Sequence, residues 1–249
     1  MANEMVPTLE LDHSQLLATV RSQCDAVDRR FPGRGLAKVA RQVHEATAHA
    51  PDLCDRIVQP LLVIRGSVAV LGLGLLAVVI FELSHLEFSG GDGWAVLEGV
   101  EAGISTVVYT GLSMIFLISI ELRRRRKRAL EALQELRALA HVLDMHQMNK
   151  DPELLILSGA AELDAEKLTL TPFLLERYFD YTADLLSMVG KLAAWYAQRI
   201  NDAEVLTAVN EIESLTGSLS LKIWQKIQVL NQVRQHHRLE DDRGSALPG

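Results

Sequence analysis

The chain has 249 residues, of which 49% are hydrophobic and 23% are charged, with 16 Gly and 7 Pro. This composition excludes an intrinsically disordered chain and a collagen-like or low-complexity one. The net charge is −7, yet the mean hydropathy is positive at +0.13, so apolar and charged residues must be segregated along the chain. Two cysteines, Cys24 and Cys54, are too few for a disulfide framework.

Residues 1–59 are predicted to form a cytoplasmic helical arm. Ser14 is expected to cap a first helix, which Phe31-Pro32-Gly33 ends. The spacing of apolar residues predicts a second helix that is broken at Pro51, followed by a short helix up to Pro60. Residues 1–15 lack the apolar core of a secretory signal, so the first membrane span is expected to be an uncleaved anchor.

Two apolar runs predict a transmembrane hairpin over residues 60–121. The first span, about 61–81, contains a single charged residue, Arg65, and the second, about 100–120, is free of charge from residue 102. Each run reaches about 30 Å as a helix, the thickness of a bilayer core. Residues 82–99 are then a loop on the outside.

The distribution of charge predicts the orientation of the hairpin. Six acids and no Lys or Arg lie from residue 82 to 121, and a basic run follows directly. Because cationic flanks stay in the cytoplasm, both termini are expected on that side. The membrane itself is expected to be a bacterial inner membrane. The basic side chains are expected at the membrane surface, where Arg65 can extend to the lipid headgroups; they are Arg65, Arg123, Arg124, Arg125, Arg126, Lys127 and Arg128.

The second span carries a stripe of small and hydroxyl side chains along one helical face: Gly99, Gly103, Thr106, Thr110 and Ser113. The favoured interpretation is a seam for packing against another helix, because small residues let helix backbones approach closely in lipid. The alternative is a pore lining in an oligomer, with Glu98 and Glu101 forming an acidic ring at the outer mouth. No potassium-filter sequence is present.

Residues 122–235 are predicted to be a cytoplasmic bundle of about four helices, followed by a disordered tail over 236–249. The first helix is expected to leave the membrane without a break and to reach Leu143; others are expected to begin near Pro152, at Thr171-Pro172 and after Asn201-Asp202. From residue 129 onward the chain holds 11 basic and 18 acidic residues. This excess of acids excludes nucleic acid as the main partner of the domain.

The densest polar cluster of the chain contains His141, Asp144 and His146. The favoured interpretation is a helix terminus whose polar side chains satisfy free carbonyl groups. A metal site is the minor alternative and would allow a membrane-anchored metalloenzyme, because a protein metal site needs about three convergent ligands.

No catalytic motif is present: the chain lacks GxSxG, Walker A, GxGxxG followed by an acid, and HExxH. The sequence therefore predicts an all-α, non-enzymatic integral membrane protein without a cofactor. Its hairpin is expected to form a homo-oligomer in the lipid bilayer, and its bundle to bind a cytoplasmic protein or its own copies. The alternative is an oligomeric ion channel, lined by the second span and gated by the bundle.

Overall fold

The computed structural model describes residues 10–59, 62–85, 93–148, 150 and 170–245. Across these ranges the chain is all-α, as predicted, and no strand occurs. The predicted helix near Pro152 lies outside the described residues. The described residues form six helices: α1 (His13–Arg30), α2 (Gly35–Val58), α3 (Leu62–His85), α4 (Gly93–Met148), α5 (Pro172–Arg199) and α6 (Ala203–Ser245).

The starts of three helices are fixed by side-chain caps. Thr171 accepts a hydrogen bond from the Leu174 N–H with Pro172 as the first helical residue, and Asp202 accepts from the first turn of α6; both starts were predicted. At α1 the prediction was wrong, because Asp12 and not Ser14 is the N-cap. The Asp12 carboxylate accepts from both the Ser14 N–H and the Ser14 hydroxyl, so a free N–H of the first turn is satisfied by the side chain that precedes the helix.

Pro51 does not break α2, contrary to prediction: it lies inside the continuous helix Gly35–Val58. A proline has no N–H, so the carbonyl of Thr47, four residues earlier, loses its helical donor. The His13 ring supplies a replacement, because its Nε2 lies 2.8 Å from the Thr47 carbonyl oxygen. This donor comes from a different helix, which explains why the local sequence did not indicate it.

The chain divides into two compact units. We call Met1–Cys54 with Ala129–Gly249 the bundle unit, and Asp55–Arg128 the apolar unit. The sequence left open whether the N-terminal arm packs on the C-terminal helices; within the bundle unit it does, because α1 lies against α5. The Gln23 amide donates to the Asp184 carboxylate at 3.2 Å across this contact.

The bundle unit has a conventional apolar core. Its α5 packs along α6, and Phe31, at the end of α1, meets Tyr178 of α5 edge to face, with ring centroids 5.5 Å apart. The largest fully buried side chains of this unit come from α2, α4, α5 and α6 and from the C-cap residue of α1; they include Trp195, Tyr178, Phe31, Phe179, Leu36, Leu133, Leu143, Leu185, Leu186, Leu192 and Ile212.

Two helices are longer than a small bundle requires. The 56 residues of α4 form one helix through Met148, which confirms the predicted unbroken helix up to Leu143. The backbone of α6 continues to Ser245, so the helix extends ten residues into the segment predicted to be a disordered tail.

The apolar unit has no comparable core. Its α3 and α4 each contain an 18-residue window long and apolar enough to cross a membrane, with mean hydropathy of 2.3 and 1.8. No residue in either window is buried inside the protein.

Candidate functional site

The large apolar side chains of the apolar unit point outward. Leu73 is 67% exposed, Tyr109 71% and Phe116 65%. A helix that belongs to the core of a water-soluble protein would bury such side chains, since each fully buried one contributes about 1.5–3 kcal/mol. Among the residues that the structure describes, the chain leaves these apolar surfaces uncovered.

Contacts between α3 and α4 occur at two levels of the apolar unit. Near the middle of α3, a Cβ at Gly72 would lie 3.2 Å from the Met114 Cε atom. Near the start of α3, residues 64–68 line a cavity together with residues 118–125 of α4. As the residue number increases along α3, the residue number of its neighbour in α4 decreases.

The cavity has a volume of about 340 Å³ and two kinds of wall. One wall is apolar and is formed by Ile64, Val68, Ile118 and Leu122. The other is charged: Arg65 of α3 faces the same space as Glu121 and Arg125 of α4. Two guanidinium groups and one carboxylate give this wall a formal net charge of +1.

Arg125 and Glu121 form an ion pair one helical turn apart. Their side chains are 28% and 12% exposed. The pair occupies the Arg125 Nη2, whereas its Nε–H is buried and has no hydrogen-bond partner. Arg65 forms no ion pair among the residues that the structure describes, although its side chain borders the same cavity.

The predicted small-residue stripe is present along α4, and its glycines are open. No atom lies within 4 Å of a Cβ built at Gly99 or Gly103, so neither glycine is needed for a close contact within this chain. Thr106 and Thr110 are partly buried, and the exposed Ser113 donates to the Tyr109 carbonyl at 2.8 Å. Among the described residues, the glycine end of the stripe therefore has no packing partner.

The predicted acidic mouth is only partly described. Glu101 is exposed on α4, whereas the side chain of Glu98 lies outside the described set.

The basic run lies on α4 as one continuous helical segment, with Arg123, Arg124, Lys127 and Arg128 exposed and Arg125 and Arg126 partly buried. Arg128 donates to the Arg56 carbonyl at 3.5 Å.

The His141, Asp144 and His146 cluster lies in the last turns of α4. Asp144 accepts a hydrogen bond from the Gln147 amide at 2.7 Å, and His141 is exposed. His146 lies against Gly35, where an added Cβ would overlap its ring. The described residues hold no group of three His, Cys, Asp or Glu side chains that could bind a metal ion.

Two lysine ammonium groups and a tyrosine hydroxyl bind the free carbonyls at this end of α4. The Lys226 ammonium donates to the Gln147 carbonyl at 3.2 Å. The His146 carbonyl accepts from the Lys150 ammonium at 3.4 Å and from the Tyr178 hydroxyl at 3.3 Å. Positive charge at a helix C-terminus is stabilised by the free carbonyls there. The cluster therefore lies at the C-terminal end of α4, where lysine side chains and Tyr178 bind the free carbonyls.

The same surroundings shift three pKa values. Burial, followed by repulsion from Lys150 and Lys38, lowers the pKa of His146. Burial and the nearby Arg34 guanidinium lower the pKa of Lys150. Burial raises the pKa of Tyr178 to about 12, so this hydroxyl remains a hydrogen-bond donor at physiological pH. A locally positive environment of this kind disfavours a bound metal cation.

No family model, curated protein or solved structure matches the chain. The functional assignment therefore depends on the chemistry of its own residues.

Sequence reasoning missed one member of the site, Glu121. Arg65 and Arg125 were assigned to the membrane surface one by one, and nothing in the sequence placed them at one cavity. A local signal for the ion pair did exist, because a Glu four residues before an Arg on a helix forms a favourable pair. The closeness of Arg65 depends on how α3 meets α4, which no local pattern encodes.

Proposed function

We propose that this chain is a non-enzymatic integral membrane protein whose two spans form an oligomerising hairpin and whose bundle unit works on the cytoplasmic side. The observation that carries the proposal is the complete lack of buried residues in both apolar windows. A lipid environment satisfies such helices, because their backbone hydrogen bonds are internal and their side chains are apolar.

The bundle unit supports an even number of crossings. It contains the segment before the first span and the segment after the second one, and α1 packs on α5 within it. Two segments that pack together lie on the same side of a membrane. The contacts of Gly72 with Met114 and of residues 64–68 with 118–125 are those of an antiparallel pair.

The charges next to the spans support a location of the bundle unit on the cytoplasmic side of a bacterial inner membrane. The basic run from Arg123 to Arg128 adjoins the end of the second span that leads into the bundle unit. The segment between the spans, by contrast, contains no Lys or Arg. This asymmetry is the one that keeps flanking segments in the cytoplasm.

Two open surfaces support binding to other chains. The stripe at Gly99 and Gly103 has room for another helix backbone, and small residues are what such helix pairs use in lipid. On α6 of the bundle unit, Leu221 is 59% exposed and Trp224 58%. We assign the stripe to contacts between copies and the α6 surface to a cytoplasmic protein or another copy.

Cysteine labelling in intact cells tests the topology. A Gly91→Cys variant lies in the segment between the spans, and we expect an impermeant maleimide to label it from outside. Ser22→Cys, exposed on α1, is the matched control and should be labelled only after the cells are opened. The reverse pattern contradicts the orientation. Both native cysteines are buried and are replaced by Ala in the parent chain.

Chemical cross-linking in membranes tests the oligomer. Gly103→Leu adds bulk to the stripe and should reduce the cross-linked species, whereas Val108→Leu adds bulk on the opposite side of α4 and should not. A chain that is monomeric in nanodiscs contradicts the proposal.

Planar-bilayer recording addresses the pore alternative: unitary currents that Thr110→Leu alters would assign the chain to the channels instead.

A further inference from the structure

We propose that the cavity between α3 and α4 binds the phosphate of an anionic phospholipid headgroup, held by Arg65 and Arg125. This inference rests on the proposed function, because it places the charged wall of the cavity at the cytoplasmic surface of a membrane. The hairpin would then bind one particular lipid molecule in addition to being solvated by bulk lipid.

The donors of the cavity point to a phosphate. Arg125 has one nitrogen committed to Glu121, and its buried Nε–H has no acceptor. Arg65 borders the same space and has no carboxylate partner among the described residues. Guanidinium groups bind phosphate oxygens through paired N–H donors. One phosphodiester charge would balance the formal net charge of +1 on this wall.

The position and walls of the cavity point to a lipid as the source of that phosphate. Arg65 is the second residue of the apolar window Ile64–Phe81, and Arg125 lies in the basic run that follows the second span. The cavity therefore lies where apolar and cationic surfaces meet, as lipid glycerol and headgroup do. Ile64, Val68, Ile118 and Leu122 supply the apolar contacts that a free phosphate would not use.

Glu121 gives the site its selectivity. Its carboxylate holds the Arg125 side chain at the cavity, and it repels a ligand whose negative charge exceeds the net +1 of this wall. A headgroup with a single net negative charge, such as phosphatidylglycerol, therefore fits better than a multiply charged phosphate ester. The zwitterionic phosphatidylcholine would bring a bulky cation close to Arg65.

Lipid titration of the full chain tests the site. The purified protein in neutral detergent micelles is titrated with dioleoyl-phosphatidylglycerol, and the bound lipid is counted by native mass spectrometry. We expect Arg65→Gln and Arg125→Gln each to weaken the first binding event by about tenfold, the loss of one charge-assisted hydrogen-bonding group. Arg124→Gln is the matched control: it removes one exposed charge from the same basic run and should weaken binding less than about twofold.

Three outcomes would overturn the site. An equal loss of affinity in all three variants would mean non-specific attraction to the basic run. Equal affinities for dioleoyl-phosphatidylcholine and dioleoyl-phosphatidylglycerol would mean that the site does not distinguish lipids by headgroup charge. Displacement of the lipid by millimolar glycerol phosphate or inorganic phosphate would assign the cavity to a soluble ligand. Arg65→Gln breaks no ion pair among the described residues, so it remains informative if Arg125→Gln disturbs α4.

Alkaline carbonate extraction separates this inference from the proposed function. A chain that carbonate removes from membranes is not integral, and the proposed function fails with it. A chain that stays in the membrane, and whose arginine variants bind phosphatidylglycerol as tightly as the unaltered protein does, overturns the headgroup site alone.

Discussion

The bundle unit and the apolar unit use the same kind of residue in opposite ways. Leu186 of the bundle unit is 0% exposed, whereas Leu73 of the apolar unit is 67% exposed. Both are leucines in the middle of long helices, so helix propensity and hydrophobicity do not distinguish them. The difference lies in what covers the side chain: other residues of the bundle unit cover Leu186, whereas the described residues leave Leu73 mostly uncovered.

This difference teaches how each unit is stabilised. Water drives apolar side chains of the bundle unit together, in proportion to the area removed from solvent. In lipid that drive is absent between helices, so in the membrane location that we propose the apolar unit depends on close packing and on internal backbone hydrogen bonds. The same substitution should therefore have different consequences in the two units.

Removing a leucine side chain should give the largest contrast. Leu186→Ala leaves a cavity in the bundle core and should lower the free energy of unfolding by about 2–5 kcal/mol. Leu73→Ala should leave the unfolding of the bundle unit unchanged, because its side chain is mostly exposed. Urea unfolding in detergent micelles, followed by near-ultraviolet circular dichroism, measures both. Equal losses for the two variants would contradict the division into unlike units.

Adding a methyl group to a glycine should give the second largest contrast. A Cβ at Gly190 would lie 3.0 Å from the Thr216 hydroxyl oxygen, which itself donates to the Ile212 carbonyl. Gly190→Ala must displace a bonded group in a buried place and should cost about 1–3 kcal/mol. Gly103→Ala meets no atom within 4 Å in this chain and should not change the same unfolding transition.

The double variant Gly190→Ala with Thr216→Ala checks the cause of that loss. Removing the hydroxyl gives the new methyl group room, so the double variant should be more stable than the sum of the two single effects predicts. Simple additivity would mean that the close approach of α5 and α6 at this point is not what the alanine disturbs.

Local signals predicted some parts of this structure, and contacts between distant residues decided the rest. The start of α5 followed from Thr171 and Pro172 because a cap and a first-turn proline act on their own neighbours. The unbroken course of α2 through Pro51 did not follow from sequence, because the donor that replaces the missing N–H is His13. For the same reason, local patterns predicted a membrane-surface position for Arg65 and for Arg125 but not that the two line one cavity.

The His13 contact should contribute about 1 kcal/mol to the bundle unit. His13→Phe keeps a ring beside Trp195, whose centroid lies 5.0 Å away, but removes the donor to the Thr47 carbonyl. We expect a loss of about 0.5–1.5 kcal/mol in urea unfolding. In a Pro51→Ala background the helix regains its own N–H donor, so His13→Phe should then cost less. An equal cost in both backgrounds would contradict the compensating role of His13.

The smallest effect should be a pH dependence confined to the bundle unit. The pKa of His146 lies below its usual value of 6.5 because burial, then Lys150 and Lys38, disfavour its charged form. As the pH falls through 6.5, the unfolded chain takes up a proton that the folded chain does not, so the folded state loses stability until the pH reaches the lower, folded pKa. Above 6.5 both states are neutral at this residue and the effect is absent.

Unfolding free energies measured between about pH 5 and 8 isolate this contribution. His146→Gln should be less destabilised by acid than the unaltered chain, and the difference between the two curves should grow as the pH falls below 6.5. His141→Gln is the matched control, since His141 is exposed on the same helix. If both variants change the curve equally, the cationic surroundings of His146 do not govern its protonation. A difference found only for His146→Gln locates the response at the end of α4 that Lys150 and Lys226 complete.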